Sequence, residues 1–252
     1  MSSEGTKRLW ETEPGRKTAL AEVVETRGAE FRLDRTLFRP KSRAYRHPQR
    51  ADGGTVWVQG GDKHDLVAVV ERGGAIWHRI HGADLSAGDD LQLHLDQDQR
   101  ELDSRAHTAM HLLLRAVTQI VDVTLVDDPE VKGGGRFRLD LRGWSIRPDV
   151  LAEAVDRVDT WIEQDVPVDR AYDPRDVAEH KLDPQPFEEG QPYPGPGTTI
   201  EVVRVDGVCA YPCDGTHADR TGELDELVLR EADPRQEGVW MVVGEVPKPG
   251  RY

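Results

Sequence analysis

Two pairs of donor side chains constrain this chain more than any other feature of it. The first is His107 and His111 in His107-Thr108-Ala109-Met110-His111; the second is Cys213 and His217 in Cys213-Asp214-Gly215-Thr216-His217. Ala109, Leu112, Leu113, Ala116, Val117 and Ile120 recur at helical spacing and predict a helix over Arg105 to Ile120. Residues four apart on a helix project from one face, so both imidazoles can reach one ion. The second pair has the same spacing but lies among Pro, Gly and Asp, the composition of a turn. Together they make a His/His/Cys/His set, which borderline-soft Zn²⁺ accepts in tetrahedral geometry.

A His-x-x-x-His pair by itself is more often two ordinary helical histidines than a site; the Cys-x-x-x-His in a Gly/Thr-rich turn changes the balance. Thr108 stands where a zincin peptidase needs its general-base Glu, which argues against that class. Cys209, four before Cys213, reads as a small buried hydrophobe. With Cys209 and Cys213 as the only cysteines and Cys213 given to the metal, there is no disulfide framework and a reducing compartment is expected. His47, His64, His78, His81, His94 and His180 are scattered over strands and loops and read as non-ligands. No apolar run approaches the roughly 18 residues of a membrane span, and Met1-Ser2-Ser3-Glu4-Gly5-Thr6-Lys7 is not a signal peptide. The expected location is the cytoplasm.

The periodicity changes near residue 100, and the expected domains are 1–97 and 98–252. Before the change come short strand-like runs: Ala19 to Thr26, Glu30 to Leu33, Thr55 to Gln59, Leu66 to Glu71, Ala75 to Ile80 and Leu91 to Leu95. Gly60-Gly61-Asp62, Gly73-Gly74 and Ala87-Gly88-Asp89-Asp90 separate them. Such spacing predicts a small β-barrel. After the change come the His107 helix, strands Val121 to Leu125 and Arg136 to Leu141, and a helix from Pro148 to Asp165. Strand Val166 to Tyr172, a short helix around Pro174 to Lys181, a Pro/Gly-rich connection from Asp183 to Thr198 and strand Thr199 to Val205 follow. The Cys213 turn and strands Glu226 to Glu231 and Gly238 to Val246 close the chain. That order predicts an α+β domain with helices layered over a sheet. Trp57, Trp77 and Trp161 each sit within an apolar element and read as core, and Asp103 reads as the N-cap of the His107 helix.

Several segments, in order, resemble the trans-editing alanyl-tRNA proteins, freestanding relatives of the editing domain of alanyl-tRNA synthetase. They are Arg105-Ala106-His107-Thr108-Ala109-Met110-His111-Leu112-Leu113, then Arg138-Leu139-Asp140, then Cys213-Asp214-Gly215-Thr216-His217 followed by Thr221-Gly222-Glu223-Leu224. The resemblance spans about residues 30 to 245. One segment departs from the family pattern of Phe-x-Pro followed by a Gly-Gly-Gln-Pro-x-Asp-x-Gly loop. Here Phe38-Arg39-Pro40 is followed by an insertion and then His47-Pro48-Gln49-Arg50-Ala51-Asp52-Gly53-Gly54. Gln49, Asp52 and Gly54 match, whereas His47-Pro48 replaces a glycine pair and reduces backbone freedom. The resemblance implies a barrel ahead of the α+β editing domain, with zinc on His107, His111, Cys213 and His217. It implies hydrolysis of wrongly charged tRNA(Ala), carrying serine or glycine, by a monomer or weak dimer.

Discrimination suggests two further site residues. An apolar pocket rejects a hydroxyl poorly, whereas a site that hydrogen-bonds it loses several kcal/mol when alanine enters. Thr108 is the candidate for that contact, with Gln49 next; a threonine bonding back to its own helix is the alternative for Thr108. Asp140 reads either as an activator of water or as an ordinary structural acid. Four protein ligands also describe a closed structural zinc, so a non-catalytic tRNA-binding module is a second reading. A zinc hydrolase of some small ester or amide is a third. Net charge of −14 opposes a phosphate backbone. Asp outnumbers Glu and Arg outnumbers Lys, a composition resembling that of salt-loving archaeal proteins, where multi-molar salt screens such repulsion. Arg32, Arg35, Arg39, Lys41, Arg43, Arg46 and Arg50 form a basic run that is either an RNA contact or a loop offsetting nearby acids.

Overall fold

The computed structural model describes residues 5–41, 48–58, 60–178, 182–183, 187, 198–235 and 238–248. The chain is mostly β-structure with few helices and divides into two compact units. The described residues of the first lie in 5–41 and 50–100, and those of the second in 48–49 and 101–248. The break falls inside a helix, and Gln49 groups with the second unit.

In the first unit six strands close into a barrel. In order round it they are Thr18–Arg27, Glu30–Leu33, Ala75–Ile80, Lys63–Arg72, Gly54–Val58 and Asp90–Leu95. Period-two alternation decides what faces inward. Ala19, Ala21 and Val23 are buried while Leu20 and Val24 are exposed, and Leu91, Leu93 and Leu95 alternate in the same way. Closure is made by Asp90–Leu95, whose Leu93 is opposite both Ala19 and Val56. A closed sheet presents no free edge. The same alternation corrects the expectation for Trp57: Val56 takes the inward position, so Trp57 points outward and is 39% exposed. Trp77 is buried, covered by the Arg27 guanidinium 4.7 Å from its ring, and Trp161 is half-buried. Within this unit Arg100 and Asp52 form a buried ion pair; Arg100 also donates to Leu37 O, and Arg39 N donates to Asp52.

The second unit holds two antiparallel sheets where one layer was expected. The first has the order Glu130–Gly133, Arg136–Arg142, Val239–Glu245, Val228–Pro234, with Thr124–Leu125 beside Arg136–Arg142. The other is Val168–Pro174, Thr199–Val205, Cys209–Pro212. Its last strand falls where only a turn was expected, and it delivers Cys213. Two helices share the core with these sheets: Gln97–Ile120, through Ala106, Ala109, Met110, Leu113 and Val117, and Pro148–Glu163, through Leu151, Ala154, Val158 and Ile162. The first helix begins two turns before the predicted Arg105, because Asp96 rather than Asp103 caps it: Asp96 Oδ1 accepts from Gln99 N at 3.0 Å. Asp103 lies buried within the helix.

Among the described members of the basic run, not all face solvent freely. Arg39 is buried, Arg32 pairs with Glu25, and Arg35 pairs with Asp34. Arg43, Arg46, His47 and His180 lie outside the described residues, as does most of the Pro/Gly-rich connection and the end of the helix expected around Pro174 to Lys181, of which Arg175–Ala178 is described.

Candidate metal centre

The two donor pairs meet. His107 and His111 leave the helix Gln97–Ile120 one turn apart, their rings stacked at 5.0 Å and 17°. Cys213 follows the strand Cys209–Pro212, and its backbone N–H donates to Glu201 O at 3.0 Å, so the sheet fixes where the sulfur starts. Four residues on, His217 brings its ring to 4.4 Å from that of His107. One ligand atom from each of the four lies within 4.8 Å of all the others. Only His217 keeps partial exposure.

The spacing fits a shared ion. Cys213 Sγ lies 3.4 Å from His107 Nε2 and 3.4 Å from His217 Nε2. Bonds of about 2.3 Å to sulfur and about 2.0 Å to nitrogen, at a tetrahedral angle, place two such donors about 3.5 Å apart. Gly215 N also donates toward Cys213 Sγ at 3.4 Å, which favours the thiolate a metal requires. Cys209 stands outside the cluster, and burial pushes its thiol up to about 12, so it stays protonated.

The surrounding groups are spent on holding this arrangement. Gln49 Oε1 accepts from Thr216 N at 2.9 Å and lies 3.1 Å from His107 Nδ1, while Gln49 Nε2 donates to Thr216 Oγ1 at 2.8 Å. The Thr108 hydroxyl donates to Ser104 O at 3.1 Å, accepts from Ala218 N at 3.1 Å and lies 3.2 Å from His217 Nδ1. Both residues expected to touch substrate are thus engaged with the protein itself. Asp140 is ion-paired with Arg138, as an ordinary structural acid would be.

Three contributors were not singled out from the sequence. A Cβ on Gly215 would stand 2.1 Å from His107 Cε1, so only glycine lets the turn lie against that ring. The ring of the fully buried Tyr211 stacks on His111 at 5.3 Å. Arg105 donates to Leu224 O and pairs with Asp225, anchoring the turn Thr221–Leu224 to the metal helix. The glycine inside Cys-x-x-x-His was the one visible signal; Tyr211 and Arg105 carried none.

Fold and site define a mostly β protein with a buried cluster able to hold a metal ion, compatible with zinc. No family model matches the chain. It is 30% identical over 243 residues to an alanine–tRNA ligase of Halorubrum lacusprofundi, and 31% identical over 239 residues to one of Methanoculleus marisnigri. Each match covers 94% of this chain and 25% of the relative, so the chain spans about a quarter of the length of the ligases it matches. A bacterial alanine–tRNA ligase, from Akkermansia muciniphila, is 29% identical over 76% of the chain. The chain is a relative of the alanine–tRNA ligases, as the resemblance of its motifs to the alanyl-tRNA editing proteins implied.

Proposed function

We propose that this protein hydrolyses mischarged aminoacyl-tRNA in trans, Ser-tRNA(Ala) first and Gly-tRNA(Ala) with it, using zinc held by His107, His111, Cys213 and His217. The observation that carries the reading is the four-donor cluster, closed by residues far apart in sequence, in a chain related to alanine–tRNA ligase. An aminoacyl-tRNA is an activated ester, so its hydrolysis needs polarisation of a carbonyl or activation of a water, either of which zinc supplies when bound. The chain's own residues do the rest. The helix and the Cys213 turn fix the donors, Gln49 and Thr108 hold two of the imidazoles, and the acyl group would approach from the side of His217, the one partly exposed donor. In this reading the barrel is an accessory domain, the α+β unit is the editing domain, tRNA(Ala) is the partner, and the protein works in the cytoplasm as a monomer or weak dimer.

The test is deacylation by purified protein of Ser-tRNA(Ala), Gly-tRNA(Ala) and Ala-tRNA(Ala), at low and molar salt, before and after chelation and zinc restoration. Release of serine that is lost on chelation and recovered with zinc is expected. Tight binding of the tRNAs with no release of any amino acid would instead support the structural-zinc binding module.

A further inference from the structure

The hydrogen bonds around the cluster favour one nitrogen in each of two of its rings as the one that carries the proton. The orientation of the Gln49 amide is set by a backbone donor: Thr216 N–H can only donate, so the atom 2.9 Å from it is the oxygen. His107 Nδ1, 3.1 Å from that same oxygen, therefore donates too. At Thr108 one lone pair takes the Ala218 N–H, and the hydroxyl lies 3.1 Å from Ser104 O and 3.2 Å from His217 Nδ1. With the hydroxyl hydrogen given to Ser104 O, which can only accept, His217 Nδ1 donates to the remaining lone pair. With Nδ1 carrying the hydrogen, each ring turns an Nε2 lone pair toward Cys213 Sγ, at 3.4 Å each. A thiol has one hydrogen and cannot serve two such lone pairs, whereas one cation between them serves all three atoms.

We propose that Gln49 and Thr108 are positioning residues that fix the Nε2-donating tautomers of His107 and His217, and that Ser104 and Thr216 lock the pair into one network. Thr216 is the hub: it gives its N–H to Gln49 Oε1, and its hydroxyl receives both Gln49 Nε2 and, at 2.7 Å, Ser104 Oγ. The network joins the loop holding Gln49, the helix holding Ser104 and Thr108, and the Cys213 turn, so neither ring can rotate without breaking a bond in another segment. Hydrogen-bond partners of this kind set ring orientation and raise ligand basicity, and losing one costs about 10–100-fold in metal affinity. The proposal rests on the zinc reading for its purpose, but the tautomers themselves are observable without activity.

The experiment is imidazole ¹⁵N NMR of the purified protein, metal-free and zinc-loaded, together with zinc affinity by competition against a chromophoric chelator. His107 and His217 are expected as Nδ1–H tautomers in both states. Thr108→Val should release that preference at His217 alone and weaken zinc about 10–100-fold, and Gln49→Leu should do the same at His107. Thr108→Ser, which restores the hydroxyl, should recover both. Nε2–H tautomers in the wild type would overturn the proposal, and so would Thr108→Val with an unaltered His217 signal and zinc affinity within threefold. If Thr108→Val fails to fold, the wild-type spectrum and Thr108→Ser still decide. A protein with the stated tautomers but no deacylase activity refutes the hydrolase reading alone; an active deacylase with the opposite tautomers refutes this inference alone.

Discussion

Gly215→Ala is the smallest change that should disable the cluster while leaving its four donors in place. The added Cβ would stand 2.1 Å from His107 Cε1 and 2.2 Å from Nδ1, with Gln49 Oε1 at 2.9 Å. Ordinary contact begins at 3.4 Å, so the ring must retreat by about 1.3 Å, the difference between 3.4 and 2.1 Å. Metal–ligand distances tolerate only about 0.2 Å, so the ion loses His107. Zinc sites of this type are worth roughly 10–16 kcal/mol, or about 3 kcal/mol per donor over four donors, which is on the order of 100-fold in affinity. The assay is competition with a chromophoric chelator, supported by the absorption of the Co²⁺-loaded protein, in which a lost ligand changes the d–d bands. Gly15→Ala is the control, since nothing lies within 4 Å of its Cβ. Zinc bound by Gly215→Ala within threefold of the wild type would refute the argument that this turn must lie against His107.

Two further outcomes follow from the barrel unit. Burial holds His78 at about 4, below its usual 6.5, beside the Thr36 hydroxyl at 2.8 Å. A histidine kept neutral contributes stability that is present above pH 6.5 and lost as pH falls toward 4, about 3 kcal/mol in all. His78→Phe should flatten the dependence of the urea midpoint on pH within that window, and an unchanged slope would contradict the burial argument. Asp52→Asn removes the buried carboxylate that pairs with Arg100 and accepts from Arg39 N, and should destabilise the protein by about 3–5 kcal/mol in denaturant unfolding; a change under about 1 kcal/mol would contradict the weight given to this buried pair.

What could be read from the chain depended on whether a pattern was local. The barrel strands were legible because they are short runs separated by Gly-rich turns, with Leu91, Leu93 and Leu95 alternating with Asp90, Gln92 and His94, and the four metal donors because their spacing matches their chemistry. Trp57 misled because an aromatic side chain in an apolar run says nothing of which face it takes; its neighbour Val56 held the inward position. The first turns of the metal helix were illegible because Gln97-Asp98-Gln99-Arg100-Glu101 has no apolar stripe. What holds that segment is a cap from Asp96 and an ion pair to Asp52, a residue far back in the chain.

Donors announce themselves by residue type, but the contacts of Ser104, Thr216 and the Thr108 hydroxyl arise only when three segments meet. Thr108 illustrates the difference. Its place between two ligands suggested a group free to test a substrate, and Ser104 O, Ala218 N and His217 Nδ1 all lie within hydrogen-bond reach of that hydroxyl. In the proposed network its hydrogen and both lone pairs are used, and it acts through the ring it holds. Its replacement should therefore act on every aminoacyl-tRNA alike through the metal, and leave the ratio of serine to alanine removal unmoved.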